Sequence, residues 1–136
     1  MTPEALVNQE IAQALMHFHF CVLPDPKDLH KLSVSPWSLP DLSHHIGIAW
    51  RQNTGALAAG RRFVRFGIPG AADWTGWIFG SGRRFQIEAK SAKGTLSRDQ
   101  VANRDLCAQT GVLWGLARSY DDAVTTLECW GLKRSE

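Results

Sequence analysis

The succession of local patterns predicts an α/β protein, a mixed β-sheet carrying helices on its faces. Three observations lead there. Apolar residues recur at helical spacing near the start of the chain, and serine-led capping patterns open two further helices at Ser97 and Ser119. Several runs between Ile46 and Lys90 have strand character, with period-two alternation clearest over 85–90. A strand–helix–strand unit then spans 84–117, and such a crossover joins parallel strands with a right-handed turn. The 136 residues suit one domain over 1–136.

Thr2 is placed to cap the first helix, with Pro3 at its first position and Glu4 in its first turn. Leu6, Val7, Ile11, Ala14 and Leu15 follow on one face, and the helix is expected to end between Met16 and Phe20. From about 22 to 45, four of the six prolines (Pro24, Pro26, Pro36, Pro40) stand among polar residues. That composition predicts a long excursion with little regular structure. Strands are expected over 46–53 and 61–66, with residues 53–60 turning between them. Segments 73–79 and 83–90 flank Gly80-Ser81-Gly82, a hairpin signal. In the second of these, Phe85, Ile87 and Ala89 point one way and Gln86, Glu88 and Lys90 the other.

Ser97-Arg98-Asp99-Gln100 is a capping-box pattern opening a helix to about Thr110, where Gly111 stops it. The apolar run 112–117 reads as a buried strand, and a last helix begins behind Ser119 and reaches about Trp130.

Composition narrows the function classes. With 44% hydrophobic and 21% charged residues the chain is not of the disordered type. No apolar run approaches the roughly 18 residues of a membrane span. The opening residues carry acids where a secretory leader needs bases, and three scattered cysteines (Cys21, Cys107, Cys129) make no disulfide framework. These features predict a cytoplasmic protein without a membrane partner. The net charge of +2 conceals an uneven distribution: Arg51 to Arg98 holds nine bases against two acids, Asp73 and Glu88. Such a segment suits a polyanion. Two isolated carboxylates there oppose anion binding unless they hold a cation.

In the hairpin, positions near 73–75 fall opposite positions near 88–90, which puts Asp73 within cross-strand or diagonal reach of Glu88 and Lys90. A surface ion pair would look the same in sequence. Two carboxylates beside an ammonium can also hold a divalent cation and orient a water. Arg51 and Asn53 alternate onto one strand face within reach of a nucleic-acid backbone, and Arg62, Arg65 and Lys93 extend the basic strip.

The ordered elements Arg51-Gln52-Asn53-Thr54-Gly55, Gly67-Ile68-Pro69-Gly70-Ala71-Ala72-Asp73, Ile87-Glu88-Ala89-Lys90 and Ser97-Arg98-Asp99-Gln100 resemble the PD-(D/E)xK nuclease superfamily. More narrowly they resemble its VRR-NUC branch, with R-x-N-x-G, G-x-P-G-x-x-D, (I/V)-E-x-K and S-x-x-Q in register over about 51–118. Glu4-Ala5-Leu6-Val7-Asn8 is similar to the branch's E-x-x-(I/V)-Q, with Asn8 where Gln is usual and Glu10 as a rival acid. The resemblance implies a restriction-endonuclease-like α-β-β-β-α-β core plus a C-terminal helix. It also implies a metal held by Asp73, Glu88, the backbone carbonyl of Ala89 and Glu4, with Lys90 catalytic and Gln100 at the edge of the site. Mg²⁺, replaceable by Mn²⁺, is the implied cofactor. DNA is the implied substrate, including four-way (Holliday) junctions of the kind associated with homodimeric, phage-type stand-alone members.

Glu4 and Gln100 also have local readings, as a helix-dipole partner and as half of a capping box. A catalytically inactive nucleic-acid-binding module of the same fold is the alternative for the whole chain. His17, His19 and Cys21 alternate without matching a structural zinc spacing. Trp74 and Trp77 lie beside the expected site, where an indole can pack or stack on a base.

Overall fold

The computed structural model describes residues 1–23, 26–32, 41–52, 56–59, 62–65 and 68–134. Its elements in chain order are α1 (Pro3–His17), β1 (Phe20–Leu23), a 3₁₀ helix (Pro26–Leu32), β2 (Gly47–Arg51), β3 (Ala56–Ala59), β4 (Arg62–Arg65), β5 (Trp74–Ile78), β6 (Arg84–Ala89), α2 (Arg98–Thr110), β7 (Leu113–Ala117) and α3 (Tyr120–Cys129). Five strands form one mixed sheet in the order β1-β2-β5-β6-β7, and β3 and β4 form a separate antiparallel pair. Within the sheet β1 runs parallel to β2 and β6 parallel to β7, while β2–β5 and β5–β6 are antiparallel. The expected α/β architecture with a parallel crossover through α2 is present.

Local chemistry accounts for the helix ends. The Thr2 hydroxyl accepts from the Ala5 N–H at 3.1 Å, and Pro3, lacking an N–H, occupies the first turn at no cost. Ser97 and Gln100 form both bonds of a capping box, and Gly111 ends α2 at φ 85°, a left-handed geometry natural to glycine. The Ser119 hydroxyl caps α3 by accepting from the Asp122 N–H at 3.1 Å.

One sheet face packs on α1 and α3. Phe20, Ala49, Trp74, Phe85 and Ile87 meet Ile11, Leu15 and Phe18 of the first helical segment and Leu127 of α3. Each large side chain fully buried there contributes on the order of 1.5–3 kcal/mol, which holds α1 against β5 and β6 although they lie more than fifty residues downstream. The alternating residues Arg84, Gln86 and Glu88 face the other way, where the Asn103 amide of α2 donates to Gln86 Oε1 at 2.8 Å.

Five expectations need correction. The excursion over 22–45 starts later than expected, because Phe20–Leu23 is a sheet strand and Pro26–Leu32 a 3₁₀ helix. A four-residue strand whose parallel partner lies more than twenty residues downstream leaves little local signature; residues 24–25 and 33–40 lie outside the described residues. The turn assigned to 53–60 contains β3, and the strand expected over 61–66 joins β3 rather than the main sheet. The first expected strand is shorter, over Gly47–Arg51, where its pairing with β5 is continuous. The hairpin loop takes four residues, 79–82, rather than the three of Gly80-Ser81-Gly82, and the register Trp74↔Ile87 and Trp77↔Arg84 keeps Asp73 opposite Glu88 as expected. On α1, Leu6 is 49% exposed and Asn8 is buried in its place, since the core-facing stripe runs through Val7, Asn8, Ile11 and Leu15.

Candidate metal centre

At one end of the sheet the β2–β5 ladder runs on past β5 by one residue, and the Asp73 side chain takes up the bond on the β6 side. The Gln52 N–H donates to the Asp73 carbonyl at 2.7 Å and the Ala89 N–H to Asp73 Oδ2 at 2.9 Å. Asp73 thereby sits between β2 and β6 and directly across from Glu88, as the register of the β5–β6 pair requires. The segment that delivers Asp73 is braced by α2. Gly70 has φ 81°, and a Cβ there would lie 2.2 Å from the Asp99 carbonyl oxygen, so the loop approaches the first turn of α2 at a distance no side chain permits.

Glu4 arrives from the first turn of α1. Carboxylate oxygens of Glu4, Asp73 and Glu88 all lie within 4.8 Å of one another. Asn8 ties this turn to the sheet: its amide donates to the Glu4 carbonyl at 3.2 Å while its oxygen accepts from the buried Trp74 Nε1 at 2.9 Å. Asn8, read from sequence only as a departure from Gln, is therefore a positioning residue. Its signal was its place one helical turn after Glu4. Glu10 goes elsewhere, accepting from the Tyr120 N–H at 2.9 Å and linking α1 to α3.

Gln100 completes the capping box and also reaches Glu88. Its Oε1 accepts from the Ser97 N–H at 2.8 Å, which turns its Nε2 toward Glu88 Oε1, 3.1 Å away. The capping box thus fixes the amide that holds the carboxylate. Lys90 follows β6 directly, continues the ladder through its N–H to the Ala117 carbonyl at 3.1 Å, and is half-buried. Arg118, which sequence reading did not single out, secures the loop beyond Lys90. Its Nη1 donates to the carbonyls of Ser91 and Gly94, each at 2.6 Å.

Electrostatics mark Glu88 as the unusual group. It is only 3% exposed. Burial, then the neighbouring Asp73 charge, then a hydrogen bond to Asp73 push its pKa up to about 9, against a lowering by the Lys90 ammonium and a further push from Glu4. Without a cation Glu88 therefore holds its proton near neutral pH. The donor set consists of hard carboxylate oxygens, the type that fits Mg²⁺ or Mn²⁺. Among the described residues it is the one group of three or more His, Cys, Asp or Glu side chains close enough to share an ion.

The remaining expected contacts come from several elements. Arg51 is exposed at the end of β2, opposite Trp74, and Lys93 is exposed in the loop after β6. Arg62 and Arg65 close the β3–β4 ladder opposite Ala59 and Ala56. Asn53 lies outside the described residues, as does Gly67. No helix among the described residues is long and apolar enough to cross a membrane. Neither a protein-family model, nor a curated protein, nor a solved structure matches the chain.

Proposed function

We propose that the chain is a metal-dependent endonuclease of restriction-endonuclease-like, VRR-NUC type that hydrolyses DNA phosphodiester bonds. The observation that carries this reading is the convergence of the Glu4, Asp73 and Glu88 carboxylates within 4.8 Å, next to Lys90 and with Gln100 bonded to Glu88. A surface ion pair on a hairpin has no need of a third carboxylate or of a buried glutamate.

Asp73, Glu88 and Glu4, with the carbonyl of Ala89, would hold Mg²⁺ or Mn²⁺. When bound, such an ion supplies a water of lowered pKa and charge to offset the phosphate. The protein residues do the rest. Gln100 and the Ala89 N–H fix the orientation of Glu88 and Asp73, so the oxygens are set before substrate arrives. The Lys90 ammonium orients the attacking water and balances the charge growing on the non-bridging oxygens. In the reaction the water oxygen bonds to phosphorus, one P–O ester bond breaks, and the leaving oxygen takes up a proton.

Linear, nicked and four-way junction DNA incubated with the purified chain and Mg²⁺ or EDTA tests the reading. Cleavage is expected with Mg²⁺ alone and is expected to fall by at least about 100-fold in Lys90→Ala, the scale of losing a positioned acid–base group. Binding without cleavage would instead identify the non-catalytic module. Sedimentation in the same samples checks the homodimer that a two-fold junction would match.

A further inference from the structure

A second feature of the sheet belongs to neither the core nor the carboxylate cluster. On the face that carries Glu88, the side chains of Leu23, Ile48, Trp50 and Trp77 and the 3₁₀ residue Leu29 line an open cavity of about 190 Å³. Its walls are almost entirely apolar, and two of them are indoles. Trp50 and Trp77 meet edge to face with ring centroids 5.8 Å apart, and the Arg84 guanidinium stands 5.9 Å from the centre of each ring. Arg84 itself is exposed and reaches Thr75 Oγ1 at 3.4 Å. Both tryptophans are half-buried, and Leu29 is 53% exposed at the rim.

From these features we infer that the Trp50–Trp77–Arg84 groove is a binding site for one unpaired nucleobase of the DNA substrate. This rests on the hydrolase reading above. Three considerations select that occupant. The cavity is smaller than the roughly 300 Å³ at which drug-sized ligand pockets begin, and it suits a single planar ring system. Indole faces joined to a guanidinium are the combination that stacks on bases of any sequence and draws an adjoining phosphate. The position is also right. Asp73, Thr75 and Trp77 occupy alternate positions of one strand row, so Trp77 stands about 13 Å from Asp73 at roughly 3.3 Å per residue. A strand whose scissile phosphate rests on the carboxylates passes over this groove within a few nucleotides. An apolar peptide side chain would gain nothing from Arg84, whereas a nucleotide meets both its base and its charge.

The test measures binding separately from cleavage. Anisotropy titrations in EDTA use the full chain with a labelled single-stranded 12-mer and a labelled four-way junction. Trp77→Ala is expected to weaken binding of the single strand by about 5- to 150-fold, the range for loss of one stacked base. Trp77→Phe, which restores an aromatic face, recovers most of that loss. Abasic sites walked along the 12-mer should reproduce the loss at one position in the wild-type chain and add nothing in Trp77→Ala. Leu29→Glu, at a rim position 53% exposed, should weaken binding as well, with its melting checked against the wild type. Unchanged affinity in Leu29→Glu and in a natively melting Trp77→Ala overturns the groove even if Mg²⁺-dependent cleavage persists. Absence of cleavage with groove-dependent binding intact overturns only the hydrolase reading.

Discussion

At the scale of single residues, Glu88 is where fold and site pull against each other. Its raised pKa of about 9 means that, without a cation, the folded chain holds a proton that the unfolded chain gives up near the ordinary glutamate value of 4.5. Between those two values the folded state binds more protons, so stability is fully present below the lower one and drains away as pH rises toward the upper. Where the difference is a whole proton the slope is about 1.4 kcal/mol per pH unit. Urea unfolding in EDTA at pH 6, 7.5 and 9 should therefore show progressive destabilisation of the wild-type chain. Glu88→Gln, which keeps the shape and cannot ionise, should show a much flatter profile and greater stability at pH 9. A cation must displace the same proton, so Mn²⁺ affinity measured by calorimetry should rise over this interval, with proton release. A wild-type stability that is level from pH 6 to 9 would contradict the assignment of the proton to Glu88.

At the scale of elements, the site depends on how α1 is pinned to β5. Asn8 bridges the Glu4 carbonyl and the indole N–H of Trp74, whose side chain is buried. Asn8→Ala leaves that N–H without its partner, at a cost of about 1–3 kcal/mol in chemical denaturation. It also frees the turn bearing Glu4, so the expected mark of this variant is a loss of metal affinity larger than that of Glu10→Ala, which touches only the α1–α3 junction. Equal metal affinity in the two variants would show that α1 is positioned by packing alone. The same elements explain what could be read in advance. Caps at Thr2, Ser97 and Ser119 and the 84–90 alternation are chemistry within a few residues, and sequence displays it directly. So does the hairpin that brings Asp73 to Glu88, even with one more loop residue than the glycines mark. Arg118 and strand β1 act on partners more than twenty residues away, and nothing in their own neighbourhoods reveals it; Asn8 shows its spacing from Glu4 in the sequence but not its bond to Trp74. Glu4 could be chosen over Glu10 only once α1 was seen lying against β5.

At the scale of the whole molecule, strand direction gathers the charges. β2, β6 and β7 end, and β5 begins, at the same end of the sheet, so Arg51 and Lys90 leave their strands at the end that carries the carboxylates, and Lys93 and Arg98 follow in the chain between β6 and the first turn of α2. On the proposed hydrolase reading, cations at this end would draw a phosphate backbone toward the carboxylates, which would repel it until a metal ion is bound. Two consequences follow for DNA binding in EDTA. Each phosphate contact contributes about −0.9 to the slope of log affinity against log salt on duplex DNA. Arg51→Ala and Lys93→Ala, both at exposed positions, should each flatten that slope by about 1 and weaken all sequences alike. Asp73→Asn removes a repelling charge and should act oppositely, tightening metal-free binding at low salt while abolishing cleavage in Mg²⁺. Titrations of the three variants between 50 and 200 mM salt, with the unaltered chain alongside, separate these effects. Slopes unmoved by Arg51 and Lys93 together with no tightening in Asp73→Asn would mean that the backbone runs over some other face, and the carboxylate edge could then not be where DNA is cut.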